Sequence, residues 1–108
     1  MENQTVKEGK TAAIIAYITI FGTLIAFIMN SSKKNSFTSF HIRQFIGIFL
    51  MMMINKYLIV DFLGWFIGGI VFVGLILLTL IGLMGAIQGK EKQVPIVGEY
   101  FQKWFAGI

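Results

Sequence analysis

Residues 64–88 carry no charged side chain, and this uninterrupted run constrains the fold more than any other feature of the chain. As a helix rising about 1.5 Å per residue, a run of about 25 residues exceeds the ~30 Å hydrocarbon core of a bilayer and would cross it tilted. Two more apolar stretches accompany it. Residues 11–29 are also uncharged, and about 19 residues nearly match one bilayer crossing. Residues 40–60 are apolar up to Asn55 and Lys56, with Lys56 placed to snorkel toward an interface. Asp61 and Gly64 mark the turn between this stretch and the next.

With 56% hydrophobic and 13% charged residues in 108, the chain lacks the polar surface that a soluble domain of its size exposes. At about 20 residues per helical crossing, three or four spans fit and no folded extramembrane domain does. The expectation is an all-α, multi-pass transmembrane protein forming one membrane domain over residues 1–108. Its spans are expected at about 11–29, 40–60 and 64–88. Breaking the last stretch at Gly68-Gly69 would give four.

The segments between these runs are polar. Residues 1–10 read as a disordered lead. A cleaved signal peptide is disfavoured, because the run after Lys10 is long for one and no A-x-A site follows. Residues 30–39 form a connection in which Ser36, Thr38 and Ser39 are each able to cap the next helix. After Gly89-Lys90-Glu91-Lys92-Gln93, Pro95 opens a last segment in which Val97, Phe101, Trp104, Phe105 and Ile108 recur at helical spacing. Glu99, Gln102 and Lys103 fall on the other side. An amphipathic helix over about 95–107, lying in the membrane interface, is the expectation.

The net charge of +4 then reads as a topology signal. Three spans put Lys7, Lys10 and Lys56 on one side, and Lys33, Lys34, Arg43, Lys90, Lys92 and Lys103 on the other. The more basic side, with the C-terminus, is expected to face the cytoplasm, with the N-terminus outside. The same clusters suit anionic lipid headgroups, and no nucleic-acid partner is expected.

Small residues follow stripes. Ala12, Ala16, Thr19, Thr23 and Ala26 share one face of a continuous helix over 11–29. Gly64, Gly68, Gly74, Gly82, Gly85 and Gly89 fall within an arc of about 120° on the third stretch. Gly64-x-x-x-Gly68 and Gly85-x-x-x-Gly89 have the spacing that lets helix backbones approach closely in lipid. The stripe serves packing of the first span on the third, or a homo-oligomer.

Little in the chain points to catalysis. Without cysteine, disulfides and thiolate metal sites are excluded. His41 is the single histidine and lacks companion ligands for a metal. It shares a helix face with Gln44, which suggests a polar cluster bonded to the first loop, a neighbouring helix or headgroups. Met51, Met52 and Met53 point three ways around a helix and cannot converge on one ion. None of the five acids lies inside an apolar run, as a proton-coupled carrier requires. A membrane-embedded glutamate in the first span, expected of small drug exporters, is absent. So are paired carboxylates, G-x-S-x-G, Walker loops and H-E-x-x-H. A non-enzymatic protein without cofactor or metal is expected.

Two segments carry a resemblance. Phe37-x-x-Phe40-His41-x-x-Gln44, at the start of a span, resembles the F-x-x-F-(H/N)-x-x-Q signature of the chloroplast protein-import component (Tic-twenty)-like family. Gly89-Lys90 followed by Val94-Pro95-Ile96-Val97-Gly98 resembles the same family's G-x(n)-P-(I/L)-(I/V)-G ending, and Tyr17 matches an aromatic near the start of its first span. The resemblance covers roughly residues 11–107. It implies an all-helical membrane protein and, in plastids, membership of an import complex, with no catalytic residues to carry over. His41, Gln44, Pro95 and Gly98 are its signature positions, and bacterial relatives are small membrane proteins. The expected role is a scaffold or accessory subunit of a membrane complex in a bacterial cytoplasmic membrane, partnered by lipid, by further copies or by another membrane protein. The alternative is a homo-oligomeric pore, holin-like or solute-conducting, for which Thr19 and Thr23 are the nearest approach to a polar lining.

Overall fold

The computed structural model describes residues 4–108, which are 81% helical and contain no strand. Five helices occur among the described residues: α1 (Gln4–Ala16), α2 (Ile20–Lys33), α3 (Ser36–Leu63), α4 (Trp65–Ile87) and α5 (Gly98–Trp104).

Two of them, α3 and α4, are long and apolar enough to cross a membrane. Their 28 and 23 residues correspond to about 42 and about 34 Å of helix. Only 17% and 22% of their most apolar windows is buried, whereas the core helix of a soluble protein would be mostly enclosed. Gly64 alone separates them, at φ +92°, a conformation in which a side chain would be strained. The chain thus reverses in one residue. Near the reversal α3 widens into a π turn over Asn55–Ile59. The Asn55 amide there donates to the Gly68 carbonyl at 3.0 Å, tying α3 to α4. No break occurs at Gly68-Gly69, where α4 is continuous.

The three-span count is not confirmed, because residues 11–29 are not one helix. α1 ends at Ala16 and α2 starts at Ile20, each of roughly 20 Å and too short to span alone. Thr19, in extended conformation, caps α2 by accepting from the Gly22 N–H at 3.3 Å. The missing side chain of Gly22 lets the Ile15 carbonyl approach closely, and Thr23 Oγ1 donates to the Ala16 carbonyl at 2.7 Å. The helices therefore fold back on each other as a hairpin. Ala12, Ala16 and Ala26 meet between them, packed with Ile42 of α3. Four of the five expected small residues are buried, but on two facing arms rather than one rod. Thr19 is exposed at the tip.

Both ends of the hairpin lie beside the start of α3. Asn35 Nδ2 donates to the Thr5 carbonyl at 2.8 Å, and Thr38 Oγ1 donates to the Gly9 carbonyl at 3.0 Å. These contacts hold α1 as helix from Gln4, where residues 1–10 read as a disordered lead; the first three of those lie outside the described residues. They also bring Lys7 and Lys10 to the end of the molecule that carries Lys33 and Lys34, not to the opposite one. Lys56 remains at the far end. The cap of α3 is Asn35, one residue before the expected candidates, accepting from the Thr38 N–H at 3.0 Å.

The C-terminal segment also packs inward. α5 is shorter than expected, seven residues, and docks on α3 with Phe101 against Gly47. Phe101 joins Ile48 and Val94 in a buried cluster. Gln102, expected on a polar outer face, instead donates to the Phe40 carbonyl at 2.9 Å. The molecule measures 46 × 25 × 22 Å. It is a broad five-helix half from which the closed end of the α3–α4 hairpin projects.

Candidate functional site

The interior of the broad half holds a polar cluster built on Tyr17, His41 and Gln44. Tyr17 sits where α1 ends, turned inward by the hairpin. His41 and Gln44 occupy one face of α3, four and seven residues past its first turn residue Phe37. Both are fully enclosed, and Tyr17 nearly so. Phe37 and Phe40 place their rings edge-on to the imidazole, with centroids 4.7 and 5.0 Å away.

Hydrogen-bond directions follow from what each atom can donate. His41 Nε2 lies 3.0 Å from the Lys90 carbonyl, which only accepts, so Nε2 carries the proton. Nδ1 is then an acceptor and receives the Tyr17 hydroxyl proton. The hydroxyl oxygen in turn accepts from Gln44 Nε2 at 2.8 Å. The second amide hydrogen of Gln44 goes to the Lys92 carbonyl at 3.1 Å, and its Oε1 accepts from the Val94 N–H at 2.8 Å. Every donor of the three side chains has an acceptor. Buried polar groups are tolerated when satisfied in this way.

What the cluster holds is the extended segment over 90–94. Gly89, at φ +74°, ends α4 with the Lys90 N–H bonded to the Gly85 carbonyl at 2.8 Å and its own N–H to Ala86 at 3.2 Å. This is a Schellman termination, which favours glycine at that position. The chain then passes over the cluster and turns at Pro95. Val97 N–H bonds back to the Pro95 carbonyl at 2.8 Å, forcing Ile96 to φ +73°. A β-branched residue in that region is strained. Gly98 has no room for a side chain beside Gln93.

Thus the two segments Phe37–Gln44 and Gly89–Gly98, far apart in sequence, meet around one polar centre. The glycines divide by role. At Gly82 a Cβ would fall 2.6 Å from the Tyr17 ring, and at Gly85 it would press on Lys92 and Lys90. Gly68 accommodates Val60, while Gly64 and Gly89 serve turns. Gly74 faces open space, so the stripe is not one continuous packing surface.

Three residues besides the signature positions matter. Tyr17 bridges the cluster, and it is the one hydroxyl-bearing aromatic within residues 11–29. Asn30 links α2 to α3, accepting from Asn35 N–H at 2.7 Å and donating to Ser39 Oγ at 2.8 Å. Asn55 is buried with its Oδ1 unpartnered. Among the described residues no group of histidine, cysteine or acidic side chains is placed to hold a metal. Thr23 turns inward to the Ala16 carbonyl and offers no polar stripe on the surface. Comparison with protein-family models, curated proteins and solved structures gave no match to this chain.

Proposed function

We propose that this chain is a non-enzymatic membrane protein that acts as a scaffold or accessory subunit of a membrane complex. In this reading α3 and α4 cross the bilayer, while the α1–α2 hairpin and the segment over 90–108 enter from one face and return to it. The basic end, with Lys7, Lys10, Lys33, Lys34, Lys90 and Lys92, faces the cytoplasm under the positive-inside rule. Kinship with the import-component-like proteins remains part of the proposal. The meeting of its two signature segments around His41 and Gln44 supports it.

The observation that carries the functional reading is how the polar side chains are used. Tyr17, His41 and Gln44 spend their hydrogen bonds on one another and on the backbone of residues 90–94. Nothing in that cluster is left to act on a substrate. Outside it, Trp65, Phe66 and Ile70 stand exposed around an open hollow at Gly69. Such a hollow suits a neighbouring helix in lipid, where close packing drives association.

Mass measurement of the native complex in mild detergent tests this. A heavier species of fixed stoichiometry is expected, and Gly69→Trp should dissociate it. A monomer in every mild detergent, or single-channel conductance from the purified protein in planar bilayers, would overturn the scaffold reading.

A further inference from the structure

A groove of about 510 Å³ opens between the end of α2 and the last residues of the chain, lined by Lys34, Ser36, Ser39, Arg43, Phe27 and Ile108 among others. No acidic side chain lines it, and no carboxylate among the described residues, including that of Ile108 at the groove's edge, stands within ion-pair distance of Arg43. Arg43 rises into it from α3 without a counter-ion. Its guanidinium donates to two neutral oxygens, the Ala106 carbonyl at 3.1 Å and Gln102 Oε1 at 3.5 Å. Its Nε is enclosed and has no partner at all. Lys103 pairs with Glu99, and neither Arg43 nor Lys34 takes part in that pair. A half-buried cation without a compensating charge is costly, and an anion in the groove would remove that cost.

The other walls fit a phosphate. Lys34 has its backbone fixed in the left-handed cap of α2, with its N–H on the Asn30 carbonyl at 2.7 Å. Ser39 Oγ accepts from Asn30, which leaves its own hydroxyl proton for a ligand. Ser36 adds a second hydroxyl at the first turn of α3, where the helix dipole favours negative charge. Phe27 is about half exposed beside these groups. With Ile108 it gives the groove an apolar wall, which a free inorganic ion does not need and a lipid does.

We propose that this groove binds the phosphate of an anionic phospholipid, with Arg43 and Lys34 supplying the charge and Ser36 and Ser39 the hydroxyl donors. The proposal rests on the membrane reading above and names the lipid chemistry of one site within it. The test is lipid retention by the full chain, measured by native mass spectrometry after exchange into mixed phosphatidylglycerol and phosphatidylcholine. One phosphatidylglycerol should be retained per chain. Lys34→Gln and Arg43→Gln should each weaken retention about fivefold, with Arg43→Lys falling between Arg43→Gln and the parent. Lys34 makes no side-chain contact that folding would miss, so its variant separates binding from misfolding. Lys33→Gln removes the same charge next door, outside the groove, and should retain the lipid. Equal loss in Lys33→Gln would overturn the site in favour of diffuse surface charge. Displacement by excess inorganic phosphate would overturn the lipid assignment. Flotation with pure phosphatidylcholine vesicles distinguishes the two levels. A chain that floats but shows no phosphatidylglycerol preference loses only this site, whereas one that fails to float loses the membrane reading.

Discussion

Gln44 bonds three neighbours with one amide, so its contribution is greater than that of a single contact. Gln44→Leu would keep the volume and strand the Val94 N–H and the Lys92 carbonyl. Each buried group left unpaired costs about 1–3 kcal/mol. Unfolding of the purified protein by heat or graded SDS should shift accordingly, and an unchanged midpoint would mean that residues 90–94 are not held by this side chain. Tyr17→Phe strands His41 Nδ1 and one Gln44 amide hydrogen and should cost a comparable amount, yet it should leave residues 90–94 held, because the two backbone bonds of Gln44 survive. The glycines offer a second comparison. Gly82→Val must displace the Tyr17 ring, an overpacking that costs about 1–3 kcal/mol. Gly74→Ala enters open space and should be neutral or stabilising by up to about 1 kcal/mol. If both variants melted alike, the packing of Tyr17 on Gly82 would be wrong. The shared face of His41 and Gln44 is legible from their spacing. Their partners are not, because Lys90 and Val94 follow about fifty residues later with no local signal.

Among the helices, α1 depends on its docking more than on its own sequence. It opens with polar residues, and an isolated helix of about 13 residues is marginal in water. Asn35 holds it through the Thr5 carbonyl while also capping α3. Asn35→Ala should therefore cost about 1 kcal/mol for the lost cap. It should also speed amide hydrogen exchange in α1 while leaving α4 protected. Exchange that rose equally in both helices would argue against local undocking. α4 was readable from its uncharged run, because hydropathy alone defines such a helix. The break after Ala16 was not, since Tyr17-Ile18-Thr19 contains neither proline nor glycine and continues the apolar pattern. Its cause is tertiary: a threonine cap, a close backbone approach at Gly22, and alanines small enough for two arms to lie together. In α5 the periodicity put Phe101 on an apolar face expected to meet the membrane interface, whereas it packs on Gly47 of α3. The periodicity did not reveal that Gln102 also turns inward, because an α3 carbonyl supplied its partner.

At the scale of the molecule, the hairpin decides which ends of the chain lie together. With no native cysteine, single-cysteine variants give clean labelling in sealed vesicles. Cysteines at Lys7, Lys33 and Gln93 should react with an impermeant reagent from one side, and a cysteine at Asp61 from the other. Labelling of Lys7 from the Asp61 side would restore a full crossing over 11–29. The composition made a strongly apolar, helical chain readable, but the number of helices long enough to cross a membrane depended on how one apolar stretch folds against others. The polar cluster also has a consequence for biosynthesis. Tyr17 leaves the ribosome before His41 and Gln44, and the carbonyls of Lys90 and Lys92 follow only about fifty residues later. Until residues 90–94 emerge, the imidazole and the glutamine amide lie in an incomplete interior with unmet donors. The helices can form one after another, yet the polar cluster closes only when residues 90–94 arrive. A ribosome stalled before residue 90 would hold an open form of this protein, exposed to whatever surveys unfinished membrane chains.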